Sequence, residues 1–203
     1  MFLQAQVGNQ QQNDGATATL RAGRGGELMV SDMHPRYYEL TRQNKVFTAC
    51  TQTVVTLSTL SATNTGFALS NPLGSGFNLV LLDVCIALAS APAGIASVHI
   101  AAQMLPHGTA VVHGTPLTVR NCLLGGSAAG VGLADRAATL PAAPVAIRAI
   151  GGGPVAASSL ESPFIKDEVG GQIILAPGTN VSLGYVTTAI NVMASMSWAE
   201  LGL

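Results

Sequence analysis

Four histidines and a few scattered carboxylates are the side chains in this chain best suited to metal or acid–base chemistry. A metalloenzyme built on a β-sandwich would hold its ion with clustered histidines and one carboxylate. The available set is His99, His107, His113 and Asp83. Their spacing matches no ligand pattern, and His107 and His113 each precede a glycine in loop-like sequence. The pattern therefore predicts no metal and no cofactor.

The carboxylates do not form the close pair that acid–base catalysis by two acids requires. Asp167 and Glu168 are sequence neighbours, so in a strand their side chains point apart, and we expect a solvated loop pair. Asp83 stands alone in an apolar stretch, where an unpaired buried carboxylate would be costly. We expect Arg120 or Arg148 to pair with it.

The sequence also does not match the motifs for phosphate binding, nucleophilic catalysis or a disulfide framework. The glycine-rich residues 125–132 lack the lysine of a P-loop and the order of a dinucleotide fingerprint. Cys50, Cys85 and Cys122 are odd in number and lie 35 and 37 residues apart, which favours neither disulfides nor zinc. We expect the three cysteines to be small buried hydrophobes. The sequence therefore predicts a protein that is not an enzyme.

Composition excludes several further classes. The 203 residues include 9 basic and 10 acidic side chains, so charged residues make up 9%, where a soluble domain carries about 25%. Net charge −1 with mean hydropathy +0.43 argues against disorder. A pI near 6.4 does not supply the basic field that nucleic-acid binding needs. We therefore expect no nucleic-acid partner.

A membrane role is also not expected. The apolar stretch at residues 79–105 is interrupted by Asp83, Pro92 and Gly94, which favours two buried strands and a turn. Residues 1–12 have no basic region and no sustained apolar region, so no signal peptide is predicted. We expect the protein to stay in the cytoplasm until it is assembled or released.

Charge divides the chain into a polar arm and an apolar body. Residues 1–45 hold nine of the charged groups, whereas residues 46–119 hold only Asp83. We therefore predict an extended N-terminal arm at 1–45, with a short helical segment near residues 35–44, and one β-sandwich domain at 46–203.

The body shows the two-residue period and Gly/Pro punctuation of an all-β fold. A turn is expected at 64–66, a hairpin turn at 91–94 and a break at 151–154. Residues 105–142 are expected to be an elaborated loop with short strands at 109–112 and 116–120. The main predicted strands are 51–60, 67–70, 79–91, 95–104, 145–150, 162–166, two flanking a Pro-Gly turn within 171–186, and 191–200.

These elements predict an all-β, antiparallel β-sandwich, jelly-roll-like, with two four-stranded sheets. In the last strand Val192, Ala194, Met196 and Trp198 share one face. Trp198 is therefore expected in the core.

The body has ten charged groups, so much of its exterior must be neutral and small. Large neutral surfaces are usually covered by partners, and most oligomers are closed homo-oligomers. A three-fold ring of sandwiches whose arms reach neighbouring copies fits this composition.

Several segments resemble structural proteins of tailed bacteriophages, in particular jelly-roll cement or decoration proteins that trimerise on capsid surfaces. The segments are residues 31–39 (SDMHPRYYE), 69–82 (LSNPLGSGFNLVLL), 91–96 (APAGIA) and 197–200 (SWAE). The resemblance implies a virion protein on the capsid surface that forms homotrimers and clamps the major capsid protein with its arm. The expected interface residues are Arg21, Arg24, Tyr37, Tyr38 and Arg42.

Two alternatives remain open at this stage. A phage tail or fibre component that binds the host would use loops 105–142 as its tip, although that region has none of the aromatics that sugar platforms need. A cupin-like metalloenzyme is the third hypothesis.

Overall fold

A computed structural model of the chain describes residues 35–105, 108–153 and 164–203. The chain divides into two compact units, residues 1–38 and 39–203. Every strand described below belongs to the second unit. Residues 1–34, which hold most of the predicted arm with Arg21 and Arg24, lie outside the described residues.

The short helical segment predicted near residues 35–44 is present as α1, Tyr38–Arg42. Glu39 in its first turn and Arg42 in its last are placed favourably for the helix dipole. Asn44 takes a left-handed φ of 60° after the helix, a conformation that asparagine tolerates at helix ends. In the part of the chain that is described, no helix has the length and apolar character needed to cross a bilayer.

The predicted all-β, antiparallel sandwich is confirmed: the strands form two sheets, and every pairing between them is antiparallel. The first sheet contains β1 (Val46–Cys50), β2 (Val55–Thr56), β4 (Phe77–Leu88), β7 (Arg120–Asn121), β10 (Phe164–Asp167), β11 (Ile173–Leu175) and β13 (Asn191–Gly202). The second contains β3 (Thr63–Ser70), β5 (Ala96–Ala102), β6 (Val112–Pro116), β8 (Leu133–Thr139), β9 (Val145–Gly153) and β12 (Asn180–Tyr185).

The strand order is β10-β4-β13-β1-β7 in the first sheet, with β11 also beside β4 and β2 also beside β13. In the second sheet it is β6-β8-β3-β12-β5-β9. Among the described residues the sheets thus hold seven and six strands, not the predicted four each. The short strands β2, β7 and β11 extend the first sheet, and β6 and β8 extend the second. The principal strands pair in a nested way: β1 with β13, β3 with β12, β4 with β10 and β11, and β5 with β9.

The core lies between the sheets and is centred on β13 and β4. The alternating pattern in β13 correctly predicted which side of the strand faces the core. Val192, Ala194, Met196 and Trp198 all point inward and are buried. Trp198 is fully buried. Burying such apolar surface is the main favourable contribution to folding.

The strand predicted over residues 51–60 is wrong, since only Val55–Thr56 pairs with β13 there. Thr51 bonds to Ala194 through its backbone N–H, and Val55 lies opposite Val192. The five residues 51–55 therefore lie opposite only three residues of β13, 192–194. The two surplus residues must leave the sheet.

The turn predicted at residues 64–66 is also wrong, because these residues lie within β3. Gly66 has φ 120°, and the register against β8 shifts between Thr65 and Ala68. A Cβ at Gly66 would strike Leu57. Gly66 therefore lies at a β-bulge where Leu57 packs closely against the backbone, and the chain does not reverse its direction there.

Two further predictions, one of a hairpin turn and one of a strand break, are wrong for the described residues. Residues 91–94 do not close a hairpin, since β4 and β5 lie in different sheets and each is paired on both sides by other strands. The glycines at 151–153 do not break β9, which continues through Gly153. At Gly152 a Cβ would strike the carbonyl oxygen of Ala96 on the neighbouring strand. Because glycine has no Cβ, β9 can continue to pair with β5 at this position.

The elaborated loop at 105–142 is an insertion between β5 and β9 that adds β6 and β8 to one sheet and β7 to the other. The segment just before β8 is fixed to β13 by the buried carboxylate of Glu200. The N–H groups of Val131 and Gly132 donate to Glu200 at 2.9 Å, and the indole N–H of Trp198 donates to it at 3.0 Å. No sequence motif indicated this role.

Candidate functional site

Of the interface residues expected from the sequence, Tyr37, Tyr38 and Arg42 are described and lie in or next to α1. The Arg42 guanidinium is exposed and bonds to Glu39 at 3.2 Å. Tyr38 is 43% exposed. The guanidinium of Arg36 lies 5.4 Å from the centre of the Tyr37 ring, within cation–π range. The interface role of these residues stays a prediction.

The four residues considered for a metal do not converge. His99 lies on β5 and shares a hydrogen bond with Ser97 at 3.2 Å, Asp83 lies on β4 in the other sheet, and His107 is outside the described residues. Within residues 35–105, 108–153 and 164–203 no group of three or more His, Cys, Asp or Glu side chains is arranged to hold a metal ion.

His113 instead pairs with Asp135, a partner that sequence spacing did not suggest. Nδ1 of His113 on β6 lies 2.6 Å from Oδ2 of Asp135 on β8. Asp135 is 1% exposed, and its Oδ1 has no hydrogen-bond partner among the described residues. Its burial raises the pKa of the Asp135 carboxyl above the ordinary 3.8, and the hydrogen bond from His113 partly opposes that rise.

A cavity of about 220 Å³ adjoins His113 and is lined also by Ser70, Thr109 and Thr179. A histidine fixed by a carboxylate can serve as a base or a metal ligand. No third His, Cys, Asp or Glu side chain completes a metal site around His113 and Asp135 in the described part of the chain. We therefore interpret the pair as a link between two strands of the insertion.

Neither arginine expected to pair with Asp83 does so. Arg148 bonds to Asp167 at 2.9 Å and to Gln172 at 2.9 Å, and Arg120 forms no ion pair within the described residues. Asp83 is half-buried on the outer side of its sheet, where solvent reduces the cost of leaving it unpaired. Asp167 is thus part of a structural ion pair and not of a solvated loop pair.

The expectation of buried cysteines is wrong as well. Cys50 is exposed, and Cys85 and Cys122 are half-buried. Cys85 on β4 and Cys50 on β1 point away from the core because their neighbours Val84, Ile86 and Ala49 point into it. Both thiols belong to the outer side of the seven-stranded sheet.

That outer side, which we call the outer face, is a continuous surface on which small uncharged side chains predominate. Cross-strand register places Ser195 between Cys85 and Cys50, and Ser197 between Asp83 and Thr48. The outer face consists of Asp83, Cys85 and Ala87 on β4, Met193, Ser195 and Ser197 on β13, Thr48 and Cys50 on β1, Phe164 and Lys166 on β10, and Arg120 on β7.

Charge on the outer face lies at Lys166 and Arg120 on its two edges and at Asp83 on β4. Lys166, on β10, bonds to Glu168 at 3.1 Å, and Arg120 lies on β7 at the opposite edge. Burial raises the pKa of the Cys85 thiol, and the negative charge of Asp83 raises it further. The row formed by Cys85, Ser195 and Cys50 across the middle of the face contains no Asp, Glu, Lys or Arg side chain, and Met193 and Phe164 are exposed beside it.

The arrangement of this face suits contact with another macromolecule more than chemistry on a small one. It is built from regular strands, and its uncharged row at Cys85, Ser195 and Cys50 lies among the charged groups Asp83, Lys166 and Arg120. Protein interfaces likewise have fewer charged residues at their core than at their rim. Comparison of the chain with protein-family models, with curated proteins and with solved structures found no match in any of the three.

Proposed function

We propose that the chain is a virion structural protein, a cement or decoration protein that stabilises the head of a tailed bacteriophage. In this proposal it acts as a homotrimer seated on the major capsid protein. The nested pairing of the principal strands supports the proposal, because rolling one long antiparallel hairpin into two sheets gives this order, and that is how a jelly roll is built. Jelly rolls are common in capsid proteins.

The outer face is the observation that carries the proposal. A soluble monomer normally covers a sheet of this size with charged side chains that keep it hydrated. Here Ser195, Cys85 and Cys50 occupy the centre, and Phe164, which is 64% exposed, extends the apolar area at one edge. A partner that covers the row of Cys85, Ser195 and Cys50 would remove apolar surface from water without desolvating a charged group in that row.

The charged side chains of the outer face would fix the orientation of a bound partner. Lys166 and Arg120 lie on opposite edges, with Asp83 between them nearer to β10. Charged groups at a rim contribute to specificity and association rate more than to affinity. A capsid partner with acidic groups at matching distances would be held in one orientation over the neutral centre.

A sedimentation assay with phage heads tests the proposal. Heads assembled without this protein are mixed with the purified full chain and pelleted, and we expect the wild-type chain to pellet with them. Met193→Lys places a charge on the outer face and should weaken binding at least tenfold. Ile95→Lys, at an exposed position before β5, is the matched control and should bind normally.

Normal binding of Met193→Lys to heads would contradict the role of the outer face. Binding to tails and not to heads would favour a tail or fibre component that contacts the host. The arm is tested separately: deletion of residues 1–30 is expected to leave a folded trimer, shown by its mass in solution, that no longer binds heads. A truncated chain that decorates heads normally would contradict the predicted clamp.

A further inference from the structure

A pocket of about 310 Å³ lies where β2 of the seven-stranded sheet meets β3, β6 and β8 of the six-stranded sheet. Apart from Gly66, its lining consists of three threonines, two small apolar residues and one arginine: Thr56, Thr65, Thr115, Val55, Ala137 and Arg136. None of these residues belongs to the outer face. The pocket is therefore a site separate from the surface that the proposed function uses.

Two interruptions of the strand pairing meet at this pocket. On β3 two residues, Gly66 and Phe67, lie opposite the single residue Arg136 of β8. On the other sheet, the surplus residues of 51–55 leave the strand pairing just before β2. A β-bulge changes the direction in which nearby side chains project. Arg136 accordingly reaches from β8 to the segment that has left the other sheet.

The guanidinium of Arg136 uses only one of its nitrogens within the described residues. Its Nη1 donates to the hydroxyl of Thr53 at 2.9 Å, which ties β8 to the segment between β1 and β2. Its Nε and Nη2 make no hydrogen bond and no ion pair in the described part of the chain. A planar guanidinium with free N–H donors matches the two oxygens of a carboxylate.

The positive charge of Arg136 has no counter-charge in the pocket. Arg136 is the one ionisable side chain among the described residues that line it. The adjacent Asp135 points to the opposite face of β8, where it is buried and bonds to His113 at 2.6 Å. Arg148, in contrast, is already paired with Asp167. A negatively charged ligand in this pocket would therefore meet an arginine that the described chain does not neutralise.

The charge and the walls of the pocket favour a carboxylate over a phosphate. One guanidinium balances one negative charge, whereas a phosphate monoester carries about −1.5 to −2 charges at neutral pH. Among the described residues the lining contains no second cation. Thr115 is half-buried, and its hydroxyl makes no hydrogen bond within the described residues, so it is available as a further donor. Val55 and Ala137 provide an apolar wall for the carbon chain that carries the carboxylate.

We propose that this pocket binds a carboxylate group, which pairs with the free N–H groups of Arg136 and accepts a hydrogen bond from Thr115. Hydrogen bonds between a guanidinium and a carboxylate are about twice as strong as neutral ones. The carboxylate belongs either to an acidic side chain of a partner protein or to a free organic acid, and the choice of probes separates these two sources. The proposal does not depend on the decoration role, because it concerns a different set of residues.

Three probes are titrated into the isotope-labelled full chain and followed by NMR. N-acetyl-glutamate-N-methylamide represents an acidic side chain in a peptide, propionate represents a free acid, and N-acetyl-glutamine-N-methylamide has the shape of the first without its charge. We expect saturable shifts at the Nε–H of Arg136 and at the backbone amides of Thr115 and Ala137. The backbone amide of Ile95, which is exposed elsewhere, should not shift. The glutamine compound should bind at least tenfold more weakly than the glutamate compound.

Arg136→Gln should weaken binding of the glutamate compound at least tenfold. Lys45→Gln is the matched control, because it removes the same charge at another exposed position, and it should leave binding unchanged. Arg136→Lys keeps the charge without the planar guanidinium and should bind more weakly than the wild type. Urea unfolding checks that all three variants fold.

Tighter binding of the glutamate compound than of propionate would assign the site to an acidic side chain of a partner protein. Equal or tighter binding of propionate would assign it to a free organic acid. Equal binding of the glutamate and glutamine compounds to the wild type, shifts that saturate elsewhere, or unaltered binding by Arg136→Gln or Arg136→Lys would overturn the proposal.

Discussion

We predict that replacing Glu200 releases the segment before β8 from β13 and destabilises the whole sandwich. The Glu200 carboxylate is buried and accepts the N–H groups of Val131, Gly132 and the Trp198 indole. Glu200→Ala leaves three donors without an acceptor, of which those of Gly132 and Trp198 are buried and that of Val131 is partly buried. Each such donor costs about 1–3 kcal/mol, and because neighbouring losses do not add in full, we expect a loss of about 3–5 kcal/mol in the free energy of unfolding.

Glu200→Gln separates the hydrogen bonds from the charge. The amide keeps one acceptor oxygen but replaces the other with an NH₂ group that faces donors. Hydrogen bonds to charged groups contribute about 1.5–3 kcal/mol and neutral ones about 0.5–1.5 kcal/mol, so we expect the glutamine variant to lose about 1–2 kcal/mol. Glu168→Gln, at an exposed position, is the matched control and should not change stability measurably.

Urea unfolding followed by tryptophan fluorescence measures these differences directly, since Trp198 is the chain's single tryptophan. Amide hydrogen exchange should show faster exchange at Val131 and Gly132 in both variants than in the wild type. If Glu200→Ala and Glu200→Gln were equally stable and within about 1 kcal/mol of the wild type, the carboxylate would not be what holds the insertion to β13.

Three further outcomes are expected. Trp198→Ala should lower the free energy of unfolding by about 3–5 kcal/mol, measured by circular dichroism in urea; a loss below about 1 kcal/mol would mean that the ring is not packed as described. Because the pKa of Asp135 is raised in the folded state, the stability this group contributes is greatest below its ordinary pKa of 3.8 and is lost as pH rises through the raised value. The stability of the wild type relative to Asp135→Asn should therefore fall across that window in urea titrations, and a constant difference would contradict the raised pKa. Iodoacetamide should alkylate exposed Cys50 faster than Cys85, whose pKa is raised by burial and by Asp83; mass spectrometry of peptides would show the reverse order if Cys85 were the reactive thiol.

Local patterning was enough to predict the fold class and the phase of the longest strands. In β13 the alternation of Val192, Ala194 and Met196 with smaller polar residues indicated which side faces the core, and all three are buried. The long apolar stretch that forms β4 was also predicted from its length and its Gly/Pro boundaries.

Local patterning failed where both faces of a strand are small or apolar. On β4, Cys85 and Ala87 alternate with Val84 and Ile86, and the single charged residue on the cysteine side, Asp83, was expected to be buried with an arginine partner. The cysteine side was therefore not predicted to face outward. The outer face, and with it the candidate interface, therefore became visible only when the core was assigned from packing between the sheets.

Pairing between distant segments was the other property that the sequence left open. Alternation along one strand reports which of its faces is buried, but it carries no information on which sheet the strand joins. That is why residues 91–94 were predicted as a hairpin although β4 and β5 lie in different sheets.

The sequence by itself determined an all-β sandwich with few charges and a buried Trp198. Tertiary structure alone decided the nested strand order, the acceptor role of Glu200, the Asp135–His113 pair and the pocket beside Arg136. The physical reason is that each of these features joins residues far apart in the chain. Their energies depend on distances that only the packed sheets define, whereas strand periodicity depends on the order of adjacent residues.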